Sequence, residues 1–382
     1  MKLLNIQLTS DFKMLKAGTT ISFLLKARSA DPASSASLVQ LAPALFYPVE
    51  HVFVGQNSSG KTTLLQCISK VLRFLRVGRL PSNGFPYGSS FGFEALFFEK
   101  NTLYRYRTVL KAVMGQDNLI IEDESLSSAN ASATLRKNLS NANFKPLLDF
   151  QQSVGYDTSK ITLFTEMEND FTLEDCKGDY AKAFMDTYLQ LCEDLDEATL
   201  TSLVQLFDDS VESLKASLEG SIDGQPRFVF ARKGEKPVYA TGEYLCSILS
   251  AGTIRGITLF GRSIRAFSSG GYIVIDEIEN SFHKNLVDNL RIMFADPAIN
   301  TAKASLIYST HYYQLLDFGD RTDNIDIVMR DDSRIVLKNL SSDFHLRTDI
   351  VRSQWFDQNA FGTLTCYDQL MQIRKYLRSK KG

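Results

Sequence analysis

Gly55-Gln56-Asn57-Ser58-Ser59-Gly60-Lys61-Thr62-Thr63 decides the fold of this chain. It is a complete GxxxxGKT loop, with the apolar strand Val52-Phe53-Val54 ahead of it and Leu64, Leu65, Ile68, Val71 and Leu72 at helical spacing behind. Glycines let successive backbone N–H groups turn inward around a phosphate, and the helix that follows adds the positive end of its dipole. Gly55 through Thr63 are therefore expected to cradle a nucleotide. Lys61 is expected to reach its β- and γ-phosphates, and the Thr62 hydroxyl to ligate Mg²⁺. A chance Gly/Ser loop does not bring this strand–loop–helix context with it.

Bulk composition narrows the classes. At 382 residues the chain holds one large domain, or a core with a smaller lobe. Its 42 basic and 44 acidic side chains leave a formal charge of -2. That balance gives no support to a broad nucleic-acid-coating surface and leaves only a local patch open. Cys67, Cys176, Cys192, Cys246 and Cys366 are far apart and show neither metal-ligand spacing nor a disulfide framework, so a reducing compartment is expected. No segment is apolar for long enough to span a bilayer, and the opening MKLLNIQLTSDF turns polar too soon for a signal peptide. The expectation is a soluble cytoplasmic protein with no membrane partner.

Patterning divides the chain into residues 1–160, 161–248 and 249–382. In the first region Leu4, Ile6 and Leu8 alternate with Asn5 and Gln7, so Leu3–Leu8 reads as an edge strand, paired across Lys16-Ala17-Gly18 with Thr19–Leu25. Residues 27–42, rich in Ala and Ser, read as loop. Beyond a Gly/Pro/Ser stretch at 81–92, the runs Phe93–Phe98, Leu103–Val109 and Asn118–Ile121 predict an antiparallel side sheet. The next region carries fifteen Asp/Glu against three Lys over residues 161–220, while Phe184, Met185, Tyr188, Leu189, Cys192 and Leu195 trace an apolar helical face. This predicts a helical lobe with an acidic exterior, a poor seat for DNA phosphates. Pro226–Tyr239 predicts a hairpin that turns at Lys233-Gly234-Glu235.

In the last region Tyr272–Ile275, Ser305–Ser309 and Ile325–Met329 predict parallel core strands. Asp331-Asp332-Ser333 turns the last of these into Arg334–Leu337, and a helix is expected around Tyr367–Leu377. The basic tail of Arg374, Lys375, Arg378, Lys380 and Lys381 is either solubilising or a nucleic-acid patch. The expected class is α/β, with a mostly parallel core sheet, an antiparallel side sheet and a helical lobe.

Gly271-Tyr272-Ile273-Val274-Ile275-Asp276-Glu277 is an apolar strand that delivers two carboxylates at its C-terminal end, where open α/β sheets place ligands. Asp276 is assigned to the Mg²⁺ shell and Glu277 to proton abstraction from an attacking water. A strand ending in Asp-Glu is common, and its pairing with a phosphate loop is what makes it specific. Ser305-Leu306-Ile307-Tyr308-Ser309-Thr310-His311 predicts a neighbouring strand whose histidine hydrogen-bonds a γ-phosphate or orients the water. The expected catalytic set is Glu277, His311 and Lys61. Leu249-Ser250-Ala251-Gly252-Thr253 precedes a helix at Ile254–Ser263; Ser250 or Thr253 is either its N-cap or, with Gly252, part of a second anion-binding helix terminus.

Taken in order, GQNSSGKTT, LSAGT, GYIVIDEIENSFH and LIYSTH resemble the ABC-type ATPases of the overcoming-lysogenization-defect and abortive-infection-like group (AAA_15/AAA_21 type). That group is related to the heads of recombination-repair and chromosome-structural-maintenance ATPases. The resemblance spans essentially the whole chain and implies a P-loop NTPase with ABC-type head architecture, using ATP and Mg²⁺. It implies that Gly55–Thr63 grips one face of ATP while Ser250, Gly252 and Thr253 of a second subunit close the other. Asn280-Ser281-Phe282-His283 resembles the loop that crosses the seam of such an ATP-sandwich homodimer. There are departures from the pattern. Gln151 and Gln152 are the candidates for a glutamine loop, and no heptad coiled coil separates the phosphate loop from the signature. No fused nuclease domain is expected in the stretch after His311, and Asp323, Asp326, Asp331 and Asp332 read as strand-end and turn residues.

The resemblance implies hydrolysis of ATP to ADP and phosphate by a dimeric switch. Such a switch senses a trigger and controls a separate effector, such as a nuclease or toxin, in bacterial anti-phage defence. The alternative is a DNA-repair or recombination ATPase whose closed dimer binds duplex DNA. A transporter subunit is disfavoured by the weak glutamine loop and the acidic lobe. A partner is expected on the helical lobe or on Trp355–Gly382, where Trp355, Phe356 and Phe361 are either interface anchors or packing that seals the core.

Overall fold

The chain opens with β1 (Lys2–Leu8) and β2 (Thr20–Ser22), then β3 (Leu38–Ala42) and β4 (Leu45–Pro48). β5 (Glu50–Val54) runs through the phosphate loop into α1 (Lys61–Val77). β6 (Ser90–Glu99), β7 (Thr102–Lys111), β8 (Ile120–Asn130) and β9 (Lys145–Gln151) follow, then β10 (Phe171–Thr172), α2 (Tyr180–Asp194) and α3 (Glu197–Gln205). β11 (Val211–Ile222), β12 (Gln225–Arg232) and β13 (Val238–Thr241) lead to α4 (Gly242–Ile248) and α5 (Ala251–Ser269). The remainder is β14 (Tyr272–Ile275), α6 (Lys284–Ala295), β15 (Ser305–Thr310), β16 (Ile325–Asp331), β17 (Arg334–Asn339), α7 (Arg352–Asp357) and α8 (Tyr367–Ser379). This computed structural model describes residues 1–25, 36–42, 45–130, 143–151, 171–172, 180–222, 225–280, 282–319, 321–344, 351–358, 360–361 and 367–379.

The central sheet has the order β10-β14-β15-β5-β16-β17 and is parallel except for the β16–β17 hairpin. Its strands are apolar on both faces because both faces are covered. Phe53, Tyr272, Val274, Ile307 and Val328 enter the core shared with α1 and the antiparallel sheet. Their neighbours Val52, Val54, Ile273, Ile275, Leu306, Tyr308, Ile325 and Ile327 enter the core shared with α2, α5 and α6. The period of two along each strand thus assigns alternate residues to opposite layers.

The antiparallel sheet, β2-β1-β6-β7-β8-β9, covers α1. Leu64, Leu65, Ile68, Val71, Leu72, Phe74 and Leu75 form the buried stripe of α1, and Phe74 meets Phe93 edge-on and stacks on Tyr106 at 5.9 and 6.1 Å between ring centroids. The helix ends at Gly78, whose left-handed conformation (φ 70°) returns its N–H to the Phe74 carbonyl. The parallel-rich core, antiparallel side sheet and helices of the expected architecture are all present.

Some local expectations are corrected. β1 is not an edge strand, since it pairs with both β2 and β6; the edge is the three-residue β2, shorter than Thr19–Leu25. A register shift between Leu3 and Asn5 turns both Leu3 and Leu4 inward. Leu38–Ala42 is strand rather than loop, and residues 26–35 lie outside the described residues. In the acidic region α2 and α3 are helical, but Val211–Ile222 is a strand paired with β12. Residues 161–170 and 173–179 of that region lie outside the described residues. The hairpins turning at Lys233-Gly234-Glu235 and Asp331-Asp332-Ser333 form as expected.

The C-terminal aromatics pack as core. Phe356 stacks on Tyr313 at 4.4 Å, and Phe361, 3 % exposed, lies 4.5 Å from Phe356 and 4.7 Å from Phe344. Among the described residues no helix is long and apolar enough to cross a membrane.

Candidate active site

β5, β15 and β14 lie side by side and parallel, and their C-terminal ends carry the phosphate loop, His311 and the Asp276-Glu277 pair. Ligands collect at that edge of an open α/β sheet. Ile275 is in register with Tyr308, which brings Asp276 level with Ser309 on the middle strand.

Two left-handed residues shape the loop, Ser58 (φ 65°) and Gly60 (φ 107°), in the kind of turn whose N–H groups converge on an anion. A Cβ on Gly60 would stand 2.3 Å from Ile335 Cδ1, so a larger residue would have to displace that side chain as well as adopt the left-handed conformation. Ser59 buries an unpartnered Oγ in the same loop. Lys61 is 5 % exposed, and its Nζ donates to the carbonyls of Gly55 (2.8 Å) and Gln56 (2.9 Å). Burial pulls the pKa of this ammonium below the ordinary lysine value, while the carboxylates of Glu277, Asp276 and Glu279 act in the opposite direction. On the β16 side of the loop, Gln56, Asn57, Ser58 and Ser59 line a cavity of about 200 Å³ with Val328, Met329, Arg330 and Phe361.

A continuous chain of hydrogen bonds runs from the loop to Glu277. Thr62 Oγ1 donates to Asp276 Oδ2 at 2.6 Å, and Ser309 Oγ donates to Asp276 Oδ1 at 2.6 Å. The same Ser309 oxygen accepts the Glu277 N–H at 2.8 Å. Glu277 sits at φ 51°, a strained region for a non-glycine residue that costs about 1–3 kcal/mol. Ser309 holds it there, together with the Asn280 N–H on the Glu277 carbonyl (2.8 Å) and the Asn280 side-chain amide, which donates to Glu277 Oε2. His311 follows β15 directly; its backbone N–H donates to Glu279 Oε1 at 2.7 Å, and its ring Nδ1 lies 2.7 Å from the same oxygen.

Ser250 is the N-cap of α5. Its Oγ accepts the Thr253 N–H at 3.0 Å and meets Thr253 Oγ1 at 2.8 Å, while Thr253 Oγ1 donates to the Phe207 carbonyl at 3.4 Å. Gly252 lies in the first turn of α5. These bonds stay within the α5 terminus and Phe207, so Ser250 and Thr253 are not part of the loop-to-Glu277 chain. Of the other sequence candidates, Gln151 ends β9, Gln152 and Ser281 lie outside the described residues, and Asn280 is engaged with Glu277.

Thr62 and Asp276 fit Mg²⁺, because a hydroxyl and a carboxylate already converge as hard oxygen donors and this ion keeps waters and substrate phosphates as its other ligands. Among the described residues no group of three His, Cys, Asp or Glu side chains is arranged around a metal position. The carboxylate of Asp323 binds Arg321 (2.6 Å), that of Asp326 binds His51 (2.8 Å) and that of Asp331 binds Arg334 (2.7 Å). Reading the sequence for chemistry missed Ser309 and Glu279. The available signals were a serine next to the strand end in Leu-Ile-Tyr-Ser-Thr-His and a second acid in Glu-Ile-Glu.

Comparisons with known proteins bear on the phosphate-loop portion. Residues 51–115 match the family described as "AAA domain, putative AbiEii toxin, Type IV TA system". That span holds β5, the loop, α1, β6 and β7. That portion is similar to the core of a P-loop ATPase. No curated protein matches the sequence. Among solved structures the chain is similar to the SMC head domain from Thermotoga maritima, with a TM-score of 0.43 and 13% identity, over 89% of this chain and 100% of that one.

Proposed function

We propose that the protein binds Mg²⁺-ATP at the phosphate loop, hydrolyses it to ADP and phosphate, and acts as a homodimeric switch on a separate effector. The observation that carries this reading is the unbroken chain Thr62–Asp276–Ser309–Glu277, which ties the loop to a strained carboxylate. Loop N–H groups and Lys61 take the phosphate charge. Thr62 and Asp276 hold Mg²⁺, which when bound draws charge from the phosphate oxygens. Asn280 occupies Oε2 of Glu277, which leaves Oε1 to accept the proton of the attacking water. His311, one strand away, orients that water or the γ-phosphate.

The dimeric part of the reading rests on the second helix terminus. Ser250 is exposed at the start of a 19-residue helix, outside the hydrogen-bond chain of its own loop. Ser250 and Gly252 of one copy are therefore assigned to the γ-phosphate side of the other copy's nucleotide, while Thr253, buried and bonded to Ser250 and the Phe207 carbonyl, shapes the terminus. The family description that matches residues 51–115 names a toxin of a toxin–antitoxin system, and this favours a role in bacterial phage defence. The decisive test of the chemistry is a pair of variants. K61A is expected to lose most Mg²⁺-ATP affinity by calorimetry, whereas E277Q keeps ATP and loses about 10²–10⁴-fold in single-turnover hydrolysis. Wild-type hydrolysis by E277Q would remove Glu277 from its role.

A further inference from the structure

We propose that Glu279 is the positioning residue of His311, fixing its ring tautomer and aim for the reaction assigned above, on which this inference rests. The Glu279 side chain is 4 % exposed. Its place is set by the segment after Glu277, because the buried Ile278 donates its N–H to the Ser309 carbonyl at 3.1 Å and so straps that segment to the end of β15. Oε1 of Glu279 then accepts the His311 backbone N–H at 2.7 Å. The ring Nδ1 of His311 stands 2.7 Å from that oxygen, yet neither Nδ1 nor Glu279 Oε2 holds a hydrogen bond, and both are buried. Oε1 is thus the oxygen that faces the unpartnered ring nitrogen.

An ionised carboxylate only accepts, so the ring must present Nδ1–H to it. Nε2 is then the ring nitrogen left with a lone pair, on a side chain about one-third exposed. Carboxylates orient histidines in this way at metal centres and in hydrolase triads, by fixing which nitrogen carries the proton. Glu279 also belongs electrically to the site, since its charge acts on Lys61.

The bland role for Glu279 is a staple for the His311 backbone N–H. Two measurements separate the roles. In ATP-free protein labelled with ¹⁵N-histidine, with the His311 signals identified by their loss in H311N, the wild type is expected to show the Nδ1–H form and E279A to lose that preference. In steady-state kinetics E279A is expected to lower kcat by about 10–100-fold, with KM nearly constant and E279Q partly restoring the rate. In an H311A background E279A is expected to add less than about twofold, because the pair acts as one unit. An unchanged ring tautomer in E279A, or losses that multiply in the double variant, would overturn the proposal. A wild type that does not hydrolyse ATP would overturn the ATPase reading, while the tautomer measurement would still decide the Glu279–His311 contact.

Discussion

Replacing Ser309 by alanine should damage catalysis more than binding. Ser309 is wholly buried and joins two groups through one oxygen, donating to Asp276 Oδ1 at 2.6 Å and accepting the Glu277 N–H at 2.8 Å. A buried polar group left without its partner costs about 1–3 kcal/mol. Asp276 and Glu277 are only half-buried, so water replaces part of each bond, and about 1 kcal/mol apiece is the appropriate figure. The strain at Glu277 is of similar size, about 1–3 kcal/mol, so losing this restraint lets the backbone relax out of its left-handed conformation. A loss of about 2 kcal/mol from the reactive geometry lowers kcat about 30-fold. Lys61 and the loop are untouched, so KM for ATP should move by less than about threefold. Steady-state ATPase assays of S309A over a range of Mg²⁺-ATP concentrations read both numbers. A wild-type kcat in S309A would refute the argument, and a large rise in KM with constant kcat would place Ser309 in binding instead.

Three further perturbations follow from the same structure. Because burial lowers the Lys61 pKa and phosphates favour its charged form, ATP affinity should fall as pH rises from that lowered value towards the ordinary 10.5; calorimetry in buffers of different ionisation enthalpy should detect proton uptake in that window. The free protein has the opposite sign, gaining stability with pH there because the unfolded chain binds more protons. F361A, which empties a site walled by Phe344 and Phe356, should cost about 3–5 kcal/mol and lower the denaturant midpoint together with ATP turnover; an unchanged midpoint would return Phe361 to an interface role. Burial raises the pKa of Glu124, whose Oε1 accepts the Tyr106 hydroxyl and whose Oε2 has no partner, so wild-type stability should decline as pH rises from about 4.5 through the raised value. E124Q should lack that decline in thermal melts across pH, and parallel curves for the two proteins would contradict it.

What the sequence made legible was chemistry placed at strand ends. Val52-Phe53-Val54, Tyr272–Ile275 and Leu306–Ser309 are apolar runs because both faces of their sheet are covered, and each stops where a loop residue begins the site. A bulge hid part of the rest. Val211 and Leu214 are three apart, a spacing that suits a helix, and both point inward in a strand only because the register shifts between Val211 and Ser213. The alternation of Leu4, Ile6 and Leu8 marks the buried face of β1 and says nothing of how many strands pair with it, which hid its place between β2 and β6. The roles of Ser309 and Glu279 were hidden for another reason. Their importance lies in partners 33 and 32 residues away in sequence, and local patterning carries no information about cross-strand register.

The central claim is that ATP joins two copies of the chain through the loop of one and the α5 terminus of the other. It is tested most directly by the solution mass of E277Q over a range of protein concentrations, with and without Mg²⁺-ATP. ATP is expected to shift E277Q towards a dimer, and S250R to abolish the shift while leaving ATP binding intact. An E277Q protein that binds ATP yet stays monomeric at every concentration would contradict it.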